Sequence, residues 1–188
     1  MQTYRTGLQF PLLALLALEP RSGYDLARWF KEVASHYWSA SHGQIYPALA
    51  GMEAEGLVSH TERVGGRGPA RKVYALTESG RSALLEWAAE PAREAPRRDE
   101  QMVKALCFGL LPTETALAQL RGVRAQHAGQ LAMFEQIERS LPDESTDNGL
   151  SRAARLGILL TLRRGIGYEA GYVAWCDEAM ALIQAAGA

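Results

Sequence analysis

The sequence has few cysteines and no surplus of either charge. Two of its 188 residues are cysteine, Cys107 and Cys176, and no cysteine or histidine cluster has metal-ligand spacing. We therefore expect neither a disulfide framework nor a structural zinc site, and a reducing cytoplasmic setting fits best. Lys and Arg number 20 against 21 Asp and Glu, a net charge of −1 that excludes a uniformly basic coat protein.

The sequence also lacks an apolar run long enough to cross a membrane, which needs about 20 residues. The run from Phe10 to Leu18 follows Arg5 and superficially resembles a signal peptide. It has no small-x-small cleavage site, however, and Glu19 and Pro20 follow it directly. The run therefore predicts a buried core helix, and we expect no membrane partner.

Signatures of catalysis are missing too. The four histidines, His36, His42, His60 and His127, are scattered along the chain without metal-ligand spacing. No nucleophile elbow, phosphate-binding loop or dinucleotide fingerprint is present. We therefore expect no enzyme activity and no bound metal or cofactor.

The first 90 residues are predicted to hold three short helices, a hairpin and a closing helix. Apolar periodicity and capping residues place helices at about 6–18, 22–34 and 39–56, and a fourth from 77. Extended stretches that begin at Leu57 and Val73 enclose a loop rich in glycine and arginine. This order of elements predicts a winged helix-turn-helix domain with a two-stranded wing.

Individual residues are predicted to begin, end and bury these helices. Ser22 and Thr77 are the expected N-caps of the second and fourth helices. Gly56 is expected to be the left-handed residue that follows the third helix. The apolar face of the fourth helix is predicted to consist of Leu84, Leu85 and Trp87.

The rest of the chain is predicted to be helical, which makes the fold mainly α. Residues 91–98 carry prolines and mixed charges and are interpreted as a linker. Residues 99–188 are predicted to form a dimerisation and effector domain, with a short helix to Leu110 and two long ones. Thr113 is the expected cap of a helix to Ser140, and the last helix runs from Ser151 to about Ala185. Their leftover apolar surface predicts a homodimer.

The third helix carries the candidate DNA-reading residues in its first turns. A helix-turn-helix protein places this helix in the major groove, where glutamine bonds adenine and hydroxyl groups reach phosphates or base edges. His42 is interpreted as a DNA-facing or capping group. The alternative is that these side chains are merely solvent-facing. The candidates are Ser39, Ser41, His42, Gln44 and Tyr46.

The hairpin tip carries the candidate phosphate and minor-groove contacts. Between Thr61 and Tyr74 the only acid is Glu62, which stands against four basic residues, Arg63, Arg67, Arg71 and Lys72. A charged cluster is commonly just a solvated surface. Its place beside the third helix favours DNA contact, and glycines in the loop let the backbone approach a groove closely.

Four short motifs follow one another through this domain. They are SGYDL at 22–26, GQIYPAL at 43–49, GRGPARKVY at 66–74 and LTESGR at 76–81. In sequence and order they resemble the motifs of the PadR family of transcriptional regulators, of which GQIYPAL is the most specific. Segments 98–112 and 163–175 resemble the helical C-terminal domain of the longer PadR subfamily.

The resemblance implies a homodimeric repressor that binds a pseudo-palindromic operator in double-stranded DNA and is released by a small molecule or a stress signal. Dimerisation through the C-terminal helices is implied as well. When the family pattern is carried over position by position, Ile45 and Leu49 are expected to face the core. The DNA surface would then include Ser41, Gln44 and Tyr46, with Arg67, Arg71 and Lys72 in the wing.

Two departures from the family pattern indicate weaker or differently oriented DNA contact. Relatives often place basic residues after Pro-Ala-Leu, where this chain has Ala50, Gly51 and Met52. Around Pro69 the chain has Gly68 and Ala70, where relatives often have a tighter Pro-Pro.

The last predicted helix carries a seam at 4-3-4-3 spacing, formed by Tyr168, Tyr172, Trp175, Ala179 and Leu182. Such a seam lines a pocket for a small aromatic effector or, more commonly, packs in a core or dimer interface. Gly167 and Gly171 on this helix would let another helix come close. Two other functions stay open: a winged-helix sensor whose main task is ligand capture, and a protein-interaction module that binds no nucleic acid.

Overall fold

The computed structural model describes residues 7–31, 41–63, 71–92, 99–141 and 151–186. The chain divides into two compact units, 1–93 and 94–188. Most of the predicted linker, residues 93–98, lies outside the described residues. No helix in the described ranges is both long and apolar enough to span a membrane.

The first unit is a winged helix-turn-helix. Its strands form one antiparallel sheet in the order β1-β3-β2. The elements are α1 (Gln9–Leu18), β1 (Arg21–Ser22), α2 (Gly23–Trp29), α3 (His42–Ala54), β2 (Val58–Arg63), β3 (Arg71–Leu76) and α4 (Glu78–Ala89). The predicted fold class is confirmed, and the sheet has one strand more than predicted. A two-residue strand such as β1 is too short to leave a periodic pattern in the sequence.

Helix α1 is the centre of the core, as its apolar sequence predicts. Leu12, Leu13, Leu15 and Leu16 are all buried. They pack in one cluster with buried side chains of α2 and the residue after it, α3, β2 and β3, which are Leu26, Phe30, Ile45, Leu49, Met52, Val58 and Tyr74. Burying a leucine or isoleucine contributes roughly 1.5–3 kcal/mol. The cluster therefore fixes how α3 is rotated about its own axis.

The predicted helix ends are confirmed at three positions. Ser22 Oγ accepts the Asp25 N–H at 3.2 Å and Thr77 Oγ1 accepts the Gly80 N–H at 3.0 Å. Gly56 follows α3 with a φ of +72°, the left-handed conformation that favours glycine. Helix α2 ends at Trp29, before the predicted Ala34, and residues 32–40 lie outside the described ranges.

The predicted apolar face of α4 is wrong at Leu85, whose side chain is 58% exposed. Helix α4 packs through Gly80, which is buried, and Leu84, which is partly buried against the core. Trp87 is partly exposed, although its ring stacks on Phe10 at 4.7 Å. Since successive helical residues are rotated by about 100°, Leu85 lies beside this stripe and faces solvent.

In the described part of the second unit, the regular elements are all helices. They are α5 (Glu100–Ala105), a 3-10 turn (Phe108–Leu110), α6 (Thr113–Ser140) and α7 (Arg152–Ala186). Helix α5 is shorter than predicted, because the chain tightens into the 3-10 turn before Leu110. Thr113 is not the cap of α6 but its first residue: the Pro112 carbonyl already accepts the N–H groups of residues 115 and 116.

Helices α6 and α7 run antiparallel and pack along their length. Residues 127 and 138 of α6 bond residues 169 and 163 of α7, respectively. The close approach comes at Gly165, where an added Cβ would lie 3.0 Å from the ring of buried Phe134. Gly167 and Gly171 have no neighbour within 4 Å of such a Cβ in the described chain. Gly165 therefore supplies the close helix contact within the chain.

Gly80 gives a sharp test of the winged-helix core. A Cβ at position 80 would lie 2.0 Å from the Leu57 carbonyl oxygen, which also accepts the Thr77 N–H. We expect Gly80→Ala to lower the free energy of unfolding by about 2–3 kcal/mol, measured by equilibrium urea unfolding.

Gly51→Ala is the matched control, because it lies in α3 with open space around the new Cβ. It should be neutral or raise stability by up to about 1 kcal/mol through better helix propensity. Equal stability of the two variants would contradict the tight packing of α4 against the turn.

Candidate nucleic-acid interface

Helix α3 presents a polar face opposite its buried one. Ile45 and Leu49 are fully buried. Because side chains four residues apart share one face of a helix, the positions on either side of this pair are turned outward. The exposed positions in its first turns include Ser41, Gln44 and Tyr46. The inward and outward positions thus agree with those that the resemblance implied.

Two of the candidates on this helix have no described side-chain position. His42 is the first residue of α3, but its side chain lies outside the described part of the structure. Ser39 falls within 32–40 and is likewise outside it. Ser41 is the N-cap residue of α3.

Gln44 is held by its own helix end. Its Oε1 accepts the Ser41 backbone N–H at 3.0 Å and the Ser41 hydroxyl at 3.1 Å. A glutamine three residues into a helix that bonds back to the cap in this way satisfies a donor with no partner inside the helix. Its amide nitrogen remains available, but pairing with adenine also requires Oε1. To read a base, Oε1 of Gln44 must therefore accept from the base as well as from Ser41, or give up its hydrogen bonds to Ser41.

Tyr46 is half-exposed, and the first turn of α2 holds its ring. A Cβ at Gly23 would lie 2.6 Å from a carbon of the Tyr46 ring. Gly23 is buried, and the ring itself is 47% exposed. Any side chain at position 23 would displace Tyr46. The glycine of the SGYDL motif therefore sets the position of a residue in the GQIYPAL motif.

The wing brings two arginines face to face. In the β2–β3 register Arg63 lies opposite Arg71, and Glu62 lies opposite Lys72. Neither arginine makes an ion pair within the ranges that the structure describes. Like charges at directly opposite strand positions repel each other, and an anion bound between them would relieve this cost. Arg67 lies in 64–70, outside the described residues.

The aromatic seam of α7 is packed against α6 and the start of α5. Tyr172 stacks on His127 at 4.0 Å and donates its hydroxyl proton to Asp99 Oδ2 at 2.7 Å. Burial, together with this acceptor, raises the pKa of Tyr172. The ring of Trp175 meets that of Tyr172 edge-on, with the ring centres 5.5 Å apart. The ring centre of Tyr168 lies 5.7 Å from that of Tyr172. The three predicted seam aromatics therefore form one cluster within the chain.

The seam does not continue to its predicted end within the chain, because Leu182 is 65% exposed. A residue that the sequence did not single out lies at its centre instead. Glu169 is 1% exposed, and its carboxylate lies 2.5 Å from Nδ1 of His127. The two residues are 42 positions apart on different helices, so no local spacing could pair them. The sequence feature that could have pointed to Glu169 is its place inside an aromatic stripe, because a buried charge needs a partner.

The comparisons with known proteins agree with this geometry. Residues 12–86 match the model of the Transcriptional regulator PadR-like family, and residues 97–184 match that of the Virulence activator alpha C-term family. The Negative transcriptional regulator PadR of Bacillus subtilis is 30% identical over 94% of this chain and 97% of its own length.

Two solved structures of Bacillus subtilis PadR are similar over almost the whole chain. The complex with operator DNA has a TM-score of 0.78 at 28% identity and covers 95% of this chain and 99% of that one. The complex with p-coumaric acid has a TM-score of 0.70 at 28% identity and covers 94% and 98%, respectively. With both units matched and a curated relative aligned from end to end, the chain belongs to the PadR-like family of transcriptional regulators.

Proposed function

We propose that the chain is a dimeric, sequence-specific DNA-binding repressor that acts on double-stranded operator DNA in the cytoplasm. One observation carries the proposal: burial of Ile45 and Leu49 turns the first turns of α3 outward in a winged helix-turn-helix. The Bacillus subtilis relative, solved with operator DNA, supports it. The proposed DNA contacts are Ser39, Ser41, His42, Gln44 and Tyr46 of the helix region and Arg63, Arg67, Arg71 and Lys72 of the wing.

Exposed apolar side chains in the second unit support the dimer. Leu106 and Leu110 are each 84% exposed, and Val103 is 65% exposed. On α7, Leu156 and Leu160 are more than half exposed. Apolar surface of this kind is stabilised by a self-complementary partner, and a two-fold dimer would present two copies of α3 to successive major grooves about 34 Å apart.

In vitro selection from random DNA duplexes tests the function directly. The full chain should enrich two inverted half-sites whose centres are about one helical turn apart, or a multiple of it. Enrichment of no sequence would contradict the proposal and favour the alternatives, a small-molecule sensor or a protein-interaction module. Enrichment of a single half-site would contradict the dimeric geometry.

The arginine pair of the wing should act on the phosphate backbone. We expect Arg63→Ala with Arg71→Ala to weaken binding to selected and random duplexes alike. The slope of log affinity against log salt, about −0.9 per neutralised phosphate, should become shallower by up to about 2. Fluorescence anisotropy of labelled duplexes over a salt series measures this slope.

Arg81→Ala is the matched control, since Arg81 is exposed on α4 of the same unit and makes no ion pair in the described part of the chain. Its slope should match that of the unchanged protein. If the double variant kept the original slope as well, the wing would not contact phosphates.

Gln44 has a stability task and a reading task, and two variants separate them. Gln44→Ala should lose the cap, which costs about 1 kcal/mol in urea unfolding, and relax base preference by about 1–3 kcal/mol at one position. Gln44→Glu should keep stability, because glutamate makes the same bonds to the cap residue. Its carboxylate has no donor for adenine and is repelled by phosphate, so it should lose specific DNA binding.

Base preference is measured by the affinities of duplexes that differ at single positions. A Gln44→Glu protein that binds the selected duplex as tightly as the unchanged protein would show that Gln44 reads no base. A Gln44→Glu protein as unstable as Gln44→Ala would contradict the capping contact.

A small aromatic effector that releases the DNA forms the last part of the proposal. The structure of the Bacillus subtilis relative with p-coumaric acid supports it. In this chain the rings of Tyr168 and Tyr172 contact His127, which meets the carboxylate of Glu169, and Trp175 packs edge-on against Tyr172. Aromatic faces beside a few fixed polar groups suit a planar ligand that carries a polar group.

We expect p-coumaric acid, added to the complex with the selected duplex, to lower its anisotropy to that of free DNA. Tyr172→Phe keeps the ring but removes the hydrogen bond to Asp99. It should change the concentration of p-coumaric acid that gives half-maximal release of DNA at least threefold. Tyr24→Phe, an exposed tyrosine of α2, is the control. An equal response to hexanoic acid, or no response at all, would contradict an aromatic effector.

A further inference from the structure

Helix α3 and the wing are joined by a glutamate and a histidine. Glu53 lies in the last turn of α3, and His60 is the third residue of β2. His60 Nδ1 lies 2.5 Å from Glu53 Oε1. Their side chains are only 24% and 31% exposed, respectively. The contact is therefore partly shielded from water. In such a setting a hydrogen bond to a charged group is stronger than at an open surface.

Aromatic and charged groups from each neighbouring element surround the pair. His60 lies opposite Tyr74 in the β2–β3 register, with the two ring centres 5.6 Å apart. Burial raises the pKa of the Tyr74 hydroxyl, and Glu53 and Tyr46 of α3 raise it further. Along the strands Glu62 and Lys72 share this face, because alternate residues of a strand point the same way. Glu53 is the acid in direct contact with His60.

The pair connects the two parts of the proposed DNA surface. Gln44 and Tyr46 lie earlier on the helix that carries Glu53, and Arg63 lies three residues beyond His60 on β2. A strand advances about 3.3 Å per residue, so Arg63 lies about 10 Å from His60 along β2. A small change of angle at the joint would therefore move the arginine pair by more than an ångström relative to the reading face of α3.

We propose that Glu53 and His60 are positioning residues for DNA recognition: their contact fixes the wing against α3 at the angle that lets both elements meet DNA together. The proposal rests on the proposed DNA-binding function. The contact between Nδ1 of His60 and Oε1 of Glu53 joins two separate elements and is partly buried, and these two observations carry the proposal.

Glu53→Gln distinguishes positioning from simple electrostatics by the sign of its effect. Removing an acid near a polyanion should tighten DNA binding by charge alone. Loss of the joint should instead weaken binding to the selected duplex about fivefold, within the range of measured pairwise couplings. Glu55→Gln is the matched control: it removes an exposed acid two residues away, at the end of the same helix. It should leave affinity unchanged or raise it up to about twofold.

A double-mutant cycle then separates an indirect from a direct role of the histidine. His60→Gln should weaken binding to the selected duplex about as much as Glu53→Gln does. The double variant should bind as either single variant does, since the two residues act through one contact. Anisotropy with the selected duplex at constant salt and pH measures all four proteins, and urea unfolding confirms that they are folded.

Two results would overturn the proposal while leaving the proposed function intact. One is a loss of affinity in the double variant equal to the sum of the two single losses, which would mean that His60 acts on DNA independently of Glu53. The other is Glu53→Gln binding as tightly as Glu55→Gln or more tightly. If the unchanged protein enriches no duplex, both the proposed function and this inference fail.

Discussion

The orientation of helix α3 depends on a single packing constraint, the burial of Ile45 and Leu49 among the leucines of α1. Both side chains are fully buried, and α1 is apolar on nearly every face. A rotation of α3 about its axis would take these two side chains out of the core and put Gln44 or Tyr46 in their place. The cost of such a rotation, roughly 1.5–3 kcal/mol for each apolar side chain, keeps the polar face outward.

Other contacts in the first unit place the hairpin and the ring of Tyr46 beside the polar face of α3. Gly56 reverses the chain directly after α3, and Thr77 Oγ1 donates to the carbonyls of Gly56 and Leu57 at 2.7 and 2.9 Å. The hairpin is thereby held where the helix ends. Gly23 supports the ring of Tyr46 from the other side. Backbone geometry and two glycines therefore set the position of the Tyr46 ring and of the base of the hairpin.

The sequence is informative where structure is local. Ser22, Gly56 and Thr77 begin or end their elements as predicted, because capping and left-handed turns depend on neighbours a few residues away. Leu85 fails because three apolar residues within four positions cannot all face one way on a helix. The Glu53–His60 and His127–Glu169 contacts join separate elements, so no spacing within one helix or strand reveals them. Both contacts become visible only in the folded structure.

These two histidine–carboxylate contacts share their chemistry but differ in burial, and burial separates what they can do. The Glu169 side chain is 2% exposed, and a carboxylate removed from water is costly unless it is paired, so its contact with His127 fixes the register of α6 against α7. The Glu53–His60 contact remains partly open to solvent. A chain of net charge −1 gains little from general attraction to DNA. Its affinity must come from the relative placement of a few groups, and a joint between α3 and the wing controls that placement.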